Sequence, residues 1–133
     1  LIQLTRKEEN IMRNEIEKVL EAMREDYKRW STMCAKHSSK GKNDYRESKV
    51  RTDMEEDYCN GLEVTEGRRY WKITSGRRNN RSVSGFIVKA GDKKFREGDM
   101  LKPAGWAAPA RNFARGNVLD GTGFNNARWT GIG

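Results

Sequence analysis

The chain has few of the residues on which metal sites and disulfide frameworks depend. It contains one histidine, His37, and two widely separated cysteines, Cys34 and Cys59. A structural zinc site takes about four Cys or His ligands in closely spaced pairs, and a disulfide framework takes several cysteines. We therefore expect no metal, no cofactor and two reduced thiols. No apolar run approaches the roughly 20 residues that cross a bilayer, so we expect no membrane association and a cytoplasmic location.

Catalytic carboxylates are also scarce. The C-terminal half of the chain, residues 67–133, holds only Asp92, Glu97, Asp99 and Asp120. Three of these side chains stand in Gly-Asp or Asp-Gly contexts, where aspartate is usual for structural reasons in turns. A metal-dependent nuclease would need clustered carboxylates. We predict that the protein is not an enzyme.

Positive charge is abundant and unevenly distributed. The formal net charge is +8. Residues 67–133 hold 14 basic and 4 acidic side chains, whereas residues 1–66 hold 13 basic and 15 acidic side chains. The excess of positive charge therefore belongs to the C-terminal half. This asymmetry indicates an anionic ligand for that half, either a nucleotide or a nucleic acid.

Residues 1–60 show helical periodicity and predict a helical hairpin with a long first helix over residues 5–30. That helix carries an apolar stripe. The stripe consists of Ile11, Met12, Ile16, Val19, Leu20, Met23, Tyr27 and Trp30. Such a stripe needs an apolar partner, which could be the second helix, another subunit or a host protein. We expect a homo-oligomer formed through this helix.

After Gly61 the hydrophobic period changes to two, which is typical of strands. The runs LEVTE, RRYWKIT and SVSGFIVK predict three strands, REGDMLK predicts a short fourth strand, and ARWT at 127–130 a last one. Residues 61–133 are therefore predicted to form a small basic β domain with a long loop over residues 103–127. The predicted fold class is α+β, with a curled antiparallel sheet or a partly open barrel.

The stretch PARNFARGN, residues 109–117, is the strongest candidate for a ligand site. Arginine offers a rigid fork of donors that suits phosphate, and asparagine offers both a donor and an acceptor. The candidate ligand-binding residues are Trp106, Arg111, Asn112, Arg115 and Asn117. Alternatively, the same side chains bind carbonyl groups of their own loop, because irregular backbone needs hydrogen-bond partners.

Two further basic stretches are candidates for contact with the phosphates of a nucleic acid. The predicted contacts are Arg77, Arg78 and Arg81 in the hairpin tip SGRRNNR, and Lys93, Lys94 and Arg96 around Phe95. A hairpin tip that is merely solvated is the alternative. Trp71, Trp106 and Trp129 could stack on bases, although we expect at least two of these rings to lie in the core.

Four runs of the C-terminal half are EGRRYWKI, SVSGFIVK, DKKFREGDMLKPAGWAAPARNFARGNVLDG and RWTG. Through them, residues 61–132 resemble a family of small uncharacterised proteins encoded by tailed bacteriophages. The family has no assigned activity, so the resemblance implies no functional residues. It implies a phage protein that is made in the cytoplasm of an infected bacterium. Because the chain begins at Leu1 rather than Met, we also expect native residues before it.

These observations predict a non-enzymatic phage accessory protein that binds a phosphate-bearing ligand, either a nucleotide signal or a nucleic acid. Its role would lie in counter-defence or in takeover of the host. The alternative is an inhibitor that binds a host protein through the apolar helix stripe and the basic surface.

Overall fold

The computed structural model describes residues 6–38, 45–77 and 80–133 and shows an α+β fold, as the periodicity predicts. Two helices precede an open four-stranded antiparallel sheet in the order β1-β2-β3-β4, and a separate two-stranded hairpin, β5-β6, follows. The elements are α1 (Arg6–Ser38), α2 (Tyr45–Gly61), β1 (Glu63–Glu66), β2 (Tyr70–Arg77), β3 (Asn80–Val88), β4 (Met100–Leu101), the 3-10 helix η1 (Phe124–Asn126), β5 (Ala127–Arg128) and β6 (Gly131–Ile132). Within the described ranges, neither helix is long and apolar enough to span a membrane.

The apolar stripe of α1 packs against the chain's own β structure. Its five most central residues are at most 3% exposed: Met12, Ile16, Val19, Leu20 and Met23. They form one core with residues of both sheets, including Trp71, Ile87 and Ile132. The sequence suggested the second helix, another subunit or a host protein as the partner of this stripe. The buried part of the stripe instead packs mainly against the chain's own β structure. The predicted oligomer stays a prediction, but the buried part of the stripe is not available for it.

The two faces of the main sheet have different neighbours. On one face, Trp71 and Ile73 of β2 belong to the core that includes α1. On the other face, Tyr70 packs with a smaller apolar cluster. Its buried members are Phe86, Val88, Phe95 and Leu101. The segment between β3 and η1 therefore covers the face of the sheet that α1 leaves open.

The turn before β4 depends on a glycine with a positive φ. Phe95 and Leu101 are buried, and Gly98 between them has a φ of 90°. A positive φ favours glycine because no Cβ clashes with the backbone. The backbone N–H of Gly98 donates to Val88 O at 2.8 Å, which ties the turn to the end of β3. The two apolar side chains on either side of this turn are therefore held inside the protein.

Two predicted boundaries are wrong. Arg77 of β2 pairs with Asn80 of β3, so most of the predicted basic tip SGRRNNR lies in paired strands rather than in a loop. The last predicted strand, over 127–130, is instead a short hairpin in which Ala127 pairs with Ile132. Gly131, at φ 123°, follows the turn of this hairpin. In both cases the pairing of the backbone depends on strand register, which the local residue types do not reveal.

Candidate functional site

Asn117 stabilises the loop that contains it. Asn117 is buried, with 3% of its surface exposed. Its Nδ2 donates to Glu97 O at 3.0 Å and to Asp99 Oδ1 at 2.8 Å. Its Oδ1 accepts from the backbone N–H groups of Leu119 and Asp120, at 2.8 and 3.1 Å. Both polar atoms of this amide are therefore engaged inside the protein. For Asn117 the geometry matches the alternative in which the loop satisfies its own backbone.

Arg111 anchors the loop to the sheet through a buried carboxylate. Its Nη1 and Nη2 donate to both oxygens of Asp92, at 3.0 and 2.9 Å, and Nη1 also donates to Tyr70 Oη. Asp92, whose side chain is 4% exposed, also accepts from the backbone N–H groups of Lys94 and Phe95 at 2.8 and 3.0 Å. Charged bidentate pairs of this kind combine strength with a fixed orientation. They set the position of the loop relative to β2.

The hydrogen bonds from Arg111 hold the pKa of Asp92 well below its usual range, and the opposing effect of burial is smaller. Asp92 is therefore ionised at neutral pH. The same hydrogen bonds raise the pKa of Arg111. The guanidinium group thus keeps its charge, but part of that charge is already balanced inside the protein.

Asn112 and Arg115 bind each other at the surface. The Nη1 atom of Arg115 donates to Asn112 Oδ1 at 2.9 Å and to Phe113 O at 2.7 Å. Its guanidinium carbon lies 3.8 Å from the centroid of the Phe113 ring. Trp106 lies at the other end of the loop and is 55% exposed. These side chains are accessible, unlike Asn117.

The arginines of the predicted hairpin tip lie elsewhere. Arg77 forms an ion pair with Asp57 of α2, and Arg81 donates to Gly61 O at 2.7 Å and to Thr74 Oγ1 at 2.9 Å. Both arginines therefore join the β2–β3 hairpin to the end of α2. They line a cleft of mixed charge that shares no residue with the loop of Arg111. Arg78 lies outside the described residues.

The three cations around Phe95 have different roles. The Nζ atom of Lys94 donates to Arg111 O, and Arg96 forms an ion pair with Asp120. These two side chains fix loop segments to each other. Lys93 is exposed and lies in a cleft beside Arg111. Of the three, it has the side chain best placed for an external anion.

That cleft has a volume of about 430 Å³ and lies where the β1–β2 connection meets the segment after β3. Five cations and one carboxylate line it: Arg68, Arg69, Lys89, Lys93, Arg111 and Asp92. Asp92 binds Arg111 and lies 3.6 Å from Arg69, and Lys89 pairs with Glu66 outside the cleft at 2.8 Å. Among the described residues, Arg68 and Lys93 have no carboxylate partner. We call this site the basic cleft.

Three cations of the basic cleft are absent from the sequence-based candidates: Arg68, Arg69 and Lys89. Strand register brings them to it. Tyr70, at the start of β2, pairs with Val88, at the end of β3, so the residues just outside both strands are neighbours. The backbone N–H of Lys89 donates to Arg69 O at 3.0 Å. These cations could have been found from the sequence, because basic residues lie at the ends of two consecutive predicted strands.

The three tryptophans with a predicted stacking role have different environments. Trp71 is 1% exposed and belongs to the main core. Trp129 is partly buried and packs edge-on against Tyr27 and Tyr58. Trp106 alone among the three is exposed, with Lys72 Nζ 3.7 Å from the centroid of its ring. Burial lowers the pKa of Lys72.

Metal ligands are not grouped in the part of the chain that the structure describes, since no set of three His, Cys, Asp or Glu side chains there could hold an ion. The side chain of His37 lies outside that description. The prediction that the protein takes no metal or cofactor therefore stays a prediction.

These features define an α+β protein with a basic cleft beside a loop-covered sheet. The chain belongs to a family of unknown function, DUF7717, whose model matches residues 3–132. The match includes both helices, which the resemblance over residues 61–132 does not reach. It says nothing of a phage origin, which stays a prediction. No curated protein and no solved structure in the comparisons matches the chain.

Proposed function

We propose that this protein is a non-enzymatic binder of a phosphate-bearing ligand and that the basic cleft is its binding site. The observation that supports this proposal is the charge of the lining, which combines five cations with one carboxylate. That carboxylate, Asp92, already binds Arg111. The remaining positive charge has no counterpart within the cleft.

Arg68 and Lys93 are the side chains best suited to contact the ligand. Both are exposed at the basic cleft, and neither has a carboxylate partner among the described residues. Like charges that share a cleft repel each other, and a bound anion relieves that repulsion. The guanidinium of Arg68 can bind two phosphate oxygens at once, whereas Lys93 contributes a compact charge.

Three of the four carboxylates of the C-terminal half favour binding over catalysis. Asp92 is held by Arg111, Asp99 accepts a hydrogen bond from Asn117, and Asp120 pairs with Arg96. A general base needs a carboxylate that can reach a proton of the substrate. Carboxylates that already bind internal partners are poorly placed for that role.

The resemblance to phage proteins supplies a setting for this activity. In the cytoplasm of an infected bacterium, a nucleotide signal and a nucleic acid both present phosphate to a basic cleft. Sequestration of either ligand would serve counter-defence or host takeover without any chemical step. An inhibitor that docks a host protein through the apolar stripe of α1 is less well supported, because most of that stripe lies in the core.

Isothermal titration with inorganic tripolyphosphate at low ionic strength tests the site directly, since salt screens such contacts. We expect the wild-type protein to bind. The double variant Arg68→Ala, Lys93→Ala should bind at least about tenfold more weakly, because each charged hydrogen bond contributes about 1.5–3 kcal/mol.

The matched control is Lys28→Ala, Lys49→Ala, which removes two exposed cations from the helices. We expect this variant to bind like the wild type. Equal weakening in both double variants would mean that net charge alone attracts the ligand. The absence of any binding to the wild-type protein would refute the proposal.

A further inference from the structure

Two large aromatic side chains remain exposed on the loop that covers the sheet. Trp106 is 55% exposed and Phe113 is 58% exposed. Each ring has a cation against it, Lys72 Nζ at 3.7 Å from the Trp106 centroid and Arg115 Cζ at 3.8 Å from the Phe113 centroid. The cation orients the ring without burying it. Exposed rings beside cations offer flat faces on which nucleic-acid bases can stack.

Backbone hydrogen bonds hold both rings in place. Trp106 lies at the tip of a small hairpin in which Pro103 bridges to Pro109. Within this hairpin the N–H groups of Ala104 and Gly105 both donate to Ala108 O at 3.0 Å. These contacts limit the conformational entropy that the tip can lose when a ligand binds.

Phe113 is held by its neighbours in the loop. Its backbone N–H donates to Asn112 Oδ1 at 2.9 Å, and its carbonyl oxygen accepts from Arg115. Asn112 Oδ1 also accepts from Arg115, so the three residues form one closed set of contacts. The second ring is therefore fixed as well.

Arg111, which lines the basic cleft, lies between the two rings along the loop. Lys72, which contacts Trp106, is two residues from Tyr70 on the same face of β2, a separation of about 7 Å along a strand. Tyr70 Oη accepts from Arg111, which lines the basic cleft, and Phe113 follows Arg111 by two residues. Tyr70 and Arg111 thus connect the basic cleft to the strand that contacts Trp106 and to the segment that carries Phe113.

We propose that the two rings and the basic cleft together bind single-stranded nucleic acid, with bases stacked on Trp106 and Phe113 and phosphates in the basic cleft. This inference rests on the proposed function and specifies its ligand. Aromatic platforms beside a positive groove are the general solution for single strands, because every base has a face to stack. A duplex keeps its base faces stacked inside and cannot offer them to the rings.

The experiment measures the fluorescence anisotropy of a labelled 12-nucleotide oligothymidylate with the wild-type protein. An abasic strand of the same length, which keeps the phosphates and lacks the bases, is the matched ligand. We expect the abasic strand and a 12-base-pair duplex to bind at least about tenfold more weakly, since stacking contributes substantially for each base. Equal affinity for the oligothymidylate and the abasic strand would overturn the proposal, as would tighter binding of the duplex.

Variants of the protein assign the rings. Trp106→Ala and Phe113→Ala should each weaken oligothymidylate binding by about tenfold and leave tripolyphosphate affinity unchanged. Leu119→Ala, which removes another exposed apolar side chain of the same half (44% exposed), is the control and should have no effect. If the ring variants bound the oligothymidylate like the wild type, the proposed stacking would be overturned. The proposed function would still stand if the same proteins bound tripolyphosphate. A wild-type protein that binds neither ligand would overturn both.

Discussion

The two faces of the main sheet are held by different forces. The face toward α1 belongs to a core of thirteen buried residues, all of them apolar. The cluster on the opposite face has only four buried apolar residues, and charged hydrogen bonds such as Arg111 to Asp92 add to it. Burial of apolar surface therefore fixes the helices, whereas paired charges fix the loop. The cations that remain after this pairing are the ones available to a ligand.

This comparison separates two kinds of arginine that look alike in the sequence. Arg111 and Arg68 both line the basic cleft. Arg111 has a buried partner, Asp92, and orients the loop. Arg68 lies in the β1–β2 connection and is exposed. Substitution of the first should change the fold locally, and substitution of the second should change only binding.

The largest effect is expected on the face toward α1. Trp71→Ala should lower the free energy of unfolding by about 3–5 kcal/mol, because it opens a cavity in an apolar core where Trp71 is 1% exposed. Urea unfolding followed by circular dichroism measures this loss. Trp106→Ala, on the exposed ring, is the control and should stay within about 0.5 kcal/mol of the wild type. Equal losses in the two variants would contradict the assignment of these faces.

A smaller loss is expected on the loop-covered face. Asp92→Asn should lower the free energy of unfolding by about 1–3 kcal/mol, because the charged hydrogen bonds from Arg111 are weakened. The control is Asp57→Asn, which breaks the exposed ion pair with Arg77 and should cost less than about 1 kcal/mol. The same urea experiment compares them. If Asp92→Asn cost no more than Asp57→Asn, charge pairing would not hold the loop.

Acid should remove the contribution of Asp92. Its pKa is lowered in the folded protein, so its stabilising effect is complete above the unfolded pKa of about 3.9 and is lost as the pH falls from there through the folded value. The difference in stability between the wild type and Asp92→Asn should therefore be constant from about pH 7 to pH 5 and narrow below about pH 4. Urea unfolding at a series of pH values tests this. A difference that already narrows between pH 7 and pH 5 would point to another titrating group.

Periodicity in the sequence predicts the parts of the fold that depend on apolar burial. The helical stripe of α1 and the period of two in β2, which separates Trp71 and Ile73 from Tyr70, both follow from local spacing. In the structure most of the stripe, Trp71 and Ile73 are buried in the core on the α1 side of the sheet, and Tyr70 packs with the cluster on the opposite side.

The composition of the candidate site does not follow from local spacing. Arg111 finds Asp92 at a distance of 19 residues in the sequence, and the basic cleft forms because Tyr70 and Val88 pair across the sheet. Pairing of charges and register of strands are non-local, so the sequence predicts which side chains are basic but not which of them remain unpaired. Asn117 shows the same limit, since its partners lie on both sides of the turn before β4.

The smallest effect on stability is expected for the unpaired cations. Arg68→Ala, Lys93→Ala should leave the free energy of unfolding within about 0.5 kcal/mol of the wild type, as is usual for exposed positions without specific contacts. Urea unfolding without added phosphate measures it. A clear loss of stability would show that these cations also hold the loop, and the distinction from Arg111 would disappear.

Unfolding in the presence of tripolyphosphate tests the central claim, that the loop-covered face leaves unpaired cations to bind phosphate. A ligand that binds only the folded state at about 100 times its Kd stabilises that state by about 2.7 kcal/mol. At such a concentration we expect this gain for the wild type and for Lys28→Ala, Lys49→Ala, and about half of it or less for Arg68→Ala, Lys93→Ala. An equal gain in all three proteins would contradict the claim.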